Sequence, residues 1–171
     1  MISPRITFHV APMESFHAQE ICGWDYKPPY NIYGWLPWEQ MQALGIEFGD
    51  PKLRGEQYVS VLSGSGELCG FAQLFPMEGV VRLGIGMKPA LCGQGMGHLF
   101  MKAIVKEALK RYPECEIDLE VLTWNQRAIK AYHKCGFTIT DTYERRTPSG
   151  DKPFYCMVYD KQQDTEFPTQ E

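Results

Sequence analysis

The sequence predicts a mixed α/β (α+β) domain of about seven strands and about four helices. Three observations carry that expectation. Apolar residues alternate with polar ones in several short runs, the period of a half-buried strand; elsewhere they recur at three- and four-residue spacing, the period of a helix. Turn sequences such as Ser63-Gly64-Ser65-Gly66 and Pro148-Ser149-Gly150-Asp151 separate the strand-like runs. Between Leu83 and Arg111 a strand-like run, a glycine-dense loop and a helical pattern follow one another without a gap. The 171 residues suit one domain, at roughly 100–200 residues each, and a hydrophobic share of 44% is enough for a real core. One domain over residues 1–160 and a polar, mobile tail over 161–171 are expected.

Taken in order, Ile6, Phe8 and Val10 alternate with Arg5, Thr7 and His9, as in a half-buried first strand. Pro12 opens a helix that runs to about Gly23, with Glu14 in its first turn. Residues 24–38 form an aromatic, proline-rich loop holding Tyr26, Tyr30, Tyr33 and Trp35; a short helix follows over about 37–44. These rings either cover the core or cradle a cationic or apolar substrate. Gly49-Asp50-Pro51 reads as a loop, and 58–62 and 68–75 as a hairpin. After a turn over 76–79, residues 80–87 form the fourth strand. Gly84 and Gly86 inside it suggest a bulge that splays the strand from its neighbour.

Pro89 ends that strand. Met96, Leu99, Phe100, Ala103, Ile104 and Ala108 then mark a helix, with Lys102, Lys106 and Lys110 on its solvated face and Tyr112-Pro113 as its stop. Ile117, Leu119 and Val121 alternate with Asp118 and Glu120 in a fifth strand. Asn125 suits the N-cap of a helix over 126–134, and Gly136 suits its end. Residues 137–144 and 154–159 are the sixth and seventh strands.

The glycine loop has a chemical meaning. The first amides of a helix lack intrahelical partners and sit at the positive end of its dipole. Gly93, Gly95 and Gly97 let several of them converge on a phosphate or pyrophosphate; the alternative is a tight turn with no ligand. A Walker loop needs Lys and then Ser or Thr after its last glycine, where His98 and Leu99 stand. A dinucleotide fingerprint needs G-x-G-x-x-G, and His98 holds the sixth position. Asp118 lies near the distance of a ribose-binding acid, so a nucleotide-binding domain stays open as an alternative. The third type is the acetyl-CoA loop of the GNAT acyltransferases: Arg or Gln, two residues, Gly, any residue, then Gly or Ala. The run from Cys92 to Gly97 resembles it, with Cys92 where Arg or Gln is usual.

A second motif runs from Asn125 to Phe137. Asn125, Ala128 and Tyr132 share a helix face. Small Ala128 permits close approach, and Tyr132 carries a phenol that either packs or donates a proton. Together the two motifs are similar to the GNAT N-acetyltransferase family, over roughly residues 59–159. The resemblance implies the GNAT fold, a central mixed and mostly antiparallel sheet. It implies acetyl-CoA as co-substrate, with no metal. Its pantetheine would lie along Ile85, Gly86 and Met87, and its pyrophosphate on the amides of Gly93, Gln94, Gly95, Met96, Gly97 and His98. Asn125 and Ala128 would flank the pantetheine arm, and Tyr132 would face the sulfur. The loop with Tyr26, Tyr30, Tyr33 and Trp35 would shape the acceptor pocket. The run Leu119-Glu120-Val121 also resembles ribosomal-protein N-terminal acetyltransferases and maps their general base onto Glu120, which is otherwise the polar side of an alternating strand.

The implied reaction is direct attack of a primary amine on a thioester, in a ternary complex. An amine of pKa ~10.4 must first lose a proton, the task given to Glu120, and the departing thiolate must gain one, the task given to Tyr132. A non-catalytic acyl-CoA-binding domain that keeps the fold is the rival reading. Net charge is −4 with no basic run, which argues against nucleic acid as partner. None of the six cysteines forms a C-x-x-C pair, so neither a zinc knuckle nor a thioredoxin motif is expected. No segment approaches the ~20 apolar residues of a membrane span, and no signal peptide is evident. The expected setting is the cytoplasm, as monomer or homodimer.

Overall fold

The structure, a computed structural model, describes residues 6–164. Strands β1 (Phe8–Pro12), β2 (Tyr58–Ser63), β3 (Leu68–Met77), β4 (Val80–Met87), β5 (Glu116–Leu122), β6 (Phe137–Thr147) and β7 (Gly150–Tyr159) form one sheet. Their order is β1-β2-β3-β4-β5-β7-β6. Only β4 and β5 pair in parallel, so the sheet is mixed and mostly antiparallel. The helices are α1 (Ser15–Cys22), α2 (Trp38–Leu44), α3 (Pro51–Gln57), α4 (Gly97–Arg111) and α5 (Gln126–Cys135).

Each face of the sheet carries its own core. On one, α4 buries Phe100, Met101, Ile104, Val105 and Ala108 against Val81, Leu83, Ile117 and Leu119. Each large apolar side chain so buried contributes roughly 1.5–3 kcal/mol. On the other, Tyr58 and Phe71 meet Phe48, Met41, Ala18 and Ile21, and Trp24, Trp35 and Trp38 pack around them.

Several sequence expectations are corrected. Pro12 ends β1 instead of opening a helix: β1 is an edge strand, where a missing N–H is tolerated. The helix starts at Ser15, and the Glu14 amide donates to His17 Nδ1 at 3.1 Å. The Gly49-Asp50-Pro51 loop leads into α3, capped by Asp50, whose carboxylate accepts from Lys52 N–H at 2.9 Å. β3 continues through Pro76, because β2 no longer flanks it there. β4 has no bulge against β3, whose register runs unbroken from Gly70↔Met87 to Met77↔Val80. Gly86 serves packing instead: a Cβ there would lie 2.1 Å from Phe71 Cε1. β6 and β7 run longer than expected and meet at Thr147↔Gly150. Of the tail, Lys161–Asp164 is a 3-10 turn; residues 165–171, and Arg5 at the other end, lie outside the described residues.

Candidate active site

β4 and β5 pair only from Val80↔Glu116 to Leu83↔Leu119. Beyond that point both strands continue but part, and a cleft of about 630 Å³ opens between them. The β3–β4 register tells which backbone groups face it. Lys88 N–H donates to Cys69 O at 2.8 Å. Antiparallel pairs alternate in direction, so Ile85 and Met87 turn their N–H groups away from β3, toward the gap left by β5. Gly86 turns its backbone to β3. Of the three residues expected there, Ile85 and Met87 thus offer main chain, whereas Gly86 makes room for Phe71.

The glycine loop closes one end of the cleft. Gly93 and Gly95 have φ of +73° and +76°, a region open to glycine and strained for other residues. A Cβ on Gly95 would meet nothing within 4 Å, so the loop surface is bare. Gly97 packs closely on α5, where its Cβ would lie 3.0 Å from that of Ala131. The first amides bonded within α4 are those of Leu99 and Phe100, both to Met96 O at 3.1 Å. Those before them are left for another acceptor. Gln94 donates from Nε2 to Ala90 O at 2.6 Å. The pKa of His98 is lowered, by burial first and then by Lys134 and Lys102. Cys92 turns its thiol to the carbonyls of Met87 and Lys88, and burial pushes that thiol up.

α5 forms the far wall. Asn125 Oδ1 accepts from Ala128 N–H at 3.2 Å, which is the helix cap, and Nδ2 donates to the Tyr33 hydroxyl at 3.0 Å. Gly136 ends the helix with φ +114°. Asn125, Ala128 and Tyr132 all line the cleft, as the shared helix face predicts. Burial raises the pKa of Tyr132, with Tyr33 and Cys92 adding to it. Its phenol therefore stays protonated through neutral pH.

The aromatic loop roofs the cleft. Tyr26 donates to Met87 O at 2.7 Å. The Tyr30 ring lies 5.6 Å from Trp124 and carries the Arg127 guanidinium 3.8 Å above it. Trp35 packs on Phe48 and Phe71 at 4.7 and 6.0 Å. So Tyr26, Tyr30, Tyr33 and Trp35 all line the cleft, and the three tyrosines also contact the β4 end or α5.

Glu120 lines the cleft from β5, and its side chain is only 7% exposed. Its Oε1 accepts from Arg82 at 3.2 Å and from Arg145, and its Oε2 from the Tyr143 hydroxyl. Arg82 also grips Asp118 through two bonds of 2.9 and 3.0 Å. Asp118 is thus committed inside the sheet, which removes the ribose-binding acid of the nucleotide reading. Sequence reasoning did not find Arg82, Tyr143 and Arg145, which reach Glu120 only through strand register. It also passed over Arg127, although an unpaired cation in a first helical turn is a readable signal. Among the described residues no three metal-ligating side chains cluster, and no helix is long and apolar enough to cross a membrane.

A cleft at a parted β4–β5 pair, flanked by a glycine loop and a capped helix, agrees with the sequence comparison. Residues 16–137 match the Acetyltransferase (GNAT) family. The chain belongs to that family. No curated protein matches its sequence closely enough to count as a relative. Among solved structures, a chimera of the Vibrio cholerae spermidine N-acetyltransferase SpeG and hSSAT superposes with a TM-score of 0.77 at 14% identity, over 94% of this chain and 99% of that one. AAC(6')-Ib in complex with Parmomycin and acetyl-CoA gives 0.71 at 22% identity, over 96% and 99%. The Vibrio cholerae spermidine N-acetyltransferase in complex with CoA and spermine gives 0.68 at 14%, over 89% and 94%. At these identities the likeness establishes the fold alone.

Proposed function

We propose that this GNAT protein transfers the acetyl group of acetyl-CoA to a primary amine of a small molecule or peptide, by direct attack in a ternary complex. One observation carries the reading: the β4–β5 gap leaves the N–H groups of Ile85 and Met87 without a β5 partner, in the same cleft as the Tyr132 phenol and the bare glycine loop. Neighbours solved in complex with CoA and spermine, or with acetyl-CoA and Parmomycin, support the same ligand pair. Acetyl-CoA supplies an activated thioester; everything else falls to the chain. The amide of Ile85 holds the pantetheine arm, and Met87 N–H receives the developing oxyanion. The second Nδ2 hydrogen of Asn125, the one not given to Tyr33, reaches the same arm.

Tyr132 donates its proton to the departing thiolate; burial keeps the phenol protonated, so the proton is there to give at neutral pH. Glu120 accepts the proton of the amine, directly or through water. A carboxylate has about four acceptor sites; Arg82, Arg145 and Tyr143 fill three, which orients the group and leaves one for the amine or a water. Tyr30, Tyr33 and Trp35 frame the acceptor. The test is release of CoA thiol from acetyl-CoA across a panel of amines and peptides, with acetylated product identified by mass. Amine-dependent release is expected. Tight CoA binding with no release beyond hydrolysis for any acceptor would instead mark a non-catalytic acyl-CoA-binding domain.

A further inference from the structure

The chain carries a net charge of −4, yet the rim of the cleft beside the glycine loop is purely basic. α5 contains no acidic residue. Arg127, Lys130 and Lys134 follow one another at three- and four-residue spacing, so they share a helix face, and all three line the cleft. All are exposed, and among the described residues none forms a salt bridge. Arg127 stands in the first turn of α5, where the helix dipole disfavours a cation. It is held there all the same: its guanidinium stacks 3.8 Å from the Tyr30 ring centroid, with Nη1 3.8 Å from the place a Gly93 Cβ would take. At the other end of the ridge, Lys134 is close enough to His98 to help lower its pKa. From Arg127 to Lys134 the ridge spans roughly 10 Å at 1.5 Å per residue. It therefore follows the glycine loop from Gly93 to His98. Cys92 adds no charge, since its thiol turns to the carbonyls of Met87 and Lys88 at 3.7 and 3.6 Å.

We propose that this ridge supplies the charge the glycine loop lacks: Arg127 holds the pyrophosphate of the acyl-CoA donor, and Lys130 and Lys134 hold its ribose 3′-phosphate. Arg suits a pyrophosphate because its planar fork can grip two oxygens, whereas Lys acts as a point charge for a single phosphate. The assignment rests on the acetyl-CoA reading above and goes further. It makes the protein selective for donors bearing the complete nucleotide, over acyl-dephospho-CoA and over acyl-phosphopantetheine.

Calorimetric titration with CoA and with dephospho-CoA tests it without any turnover. The parent should bind CoA roughly tenfold tighter or more, the gain expected of charge-assisted bonds to one phosphate. Lys130→Gln together with Lys134→Gln should bring the ratio close to one while leaving dephospho-CoA affinity unchanged. Arg127→Gln should weaken both ligands alike, by roughly tenfold, and Arg127→Lys should recover part of the loss. Lys106→Gln, on a face of α4 that lines a separate depression with Phe8 and Leu99, should change neither. Equal affinity for the two ligands in the parent overturns the assignment, and so does a ratio that survives the double lysine change. Full binding by the Arg127→Gln protein overturns the role given to that residue. If the parent binds neither ligand, the acetyl-CoA reading itself falls; if it binds both equally, only the ridge does.

Discussion

Along one side of the cleft, Ile85, Met87 and the loop from Gly93 to Gly97 present main chain, with glycine clearing side chains from the approach. Along the other, Tyr26, Tyr33 and Glu120 present side chains, and each of them already serves another group: the Met87 carbonyl, the Asn125 amide and a pair of guanidiniums. The first wall suits a ligand whose shape does not vary, since backbone groups cannot be exchanged one by one. The second can be altered one residue at a time, which suits the partner that differs between members of a family. On the proposed reading, main chain meets the arm of the common ligand and side chains frame the acceptor.

The greatest loss should come where the two walls meet, at Tyr132. Replacing it with Phe removes a proton donor and almost no volume, so melting temperature and CoA affinity should hold while turnover falls roughly 10²–10⁴-fold. The raised pKa gives this a pH signature. A group that keeps its proton to above its usual value of 10.0 sustains turnover through neutral and mildly alkaline pH, and any decline it causes begins only beyond that value. The Phe variant should lack that alkaline limb. Parent-like speed would remove Tyr132 from the chemistry.

Next comes Glu120→Gln, on the side-chain wall. Turnover should drop roughly 10²-fold, most at low pH, where the acceptor amine is protonated and needs a base. CoA affinity, measured beside it, should stay put; a pH–rate profile parallel to the parent's would move proton removal elsewhere. On the main-chain wall, Gly95→Val should weaken CoA roughly tenfold, since a side chain at φ +76° is strained by roughly 1–2 kcal/mol and covers the bare loop. A folded variant with parent affinity would take the pyrophosphate off this loop. The smallest effect belongs to Tyr33→Phe, which deletes one hydrogen bond to Asn125. Roughly 0.5–1.5 kcal/mol of stability should go, with KM for the amine changing more than KM for acetyl-CoA. The opposite order would assign the aromatic loop to the donor.

The contrast also explains what could be read in advance. Backbone sites need glycine at positive φ and a capped helix, and both leave traces in sequence: Gly93, Gly95, Asn125 and Gly136 stood where the motifs put them. β4, α4 and α5 were legible for the same reason. α3 was not, because PKLRGEQ has no buried residue to set a helical stripe, although Asp50 and Pro51 marked its start. The environment of Glu120 was not legible either. Arg82, Tyr143 and Arg145 lie 38, 23 and 25 residues away, and only the register of β4 and β6 brings them together. Gly84 and Gly86 were visible but misassigned as a bulge: nothing in β4 itself tells that Phe71 needs the space at Gly86, and a Cβ at Gly84 would meet Gln73 at ordinary contact distance.

The parting of β4 from β5 has a consequence for the molecule as a folded object. Those two strands join β1–β4 to β5–β7 through only four residue pairs, Val80 to Leu83 against Glu116 to Leu119. That junction is the sheet's narrowest ladder, and an elongated ligand bound along Ile85 and Met87 would stand in for the missing rungs. Hydrogen exchange is the natural readout. The amides of Ile85 and Met87 should exchange quickly in the free protein and slowly once acetyl-CoA is added, and protection should spread to Leu83 and Leu119 as the two halves are tied into one cooperative unit.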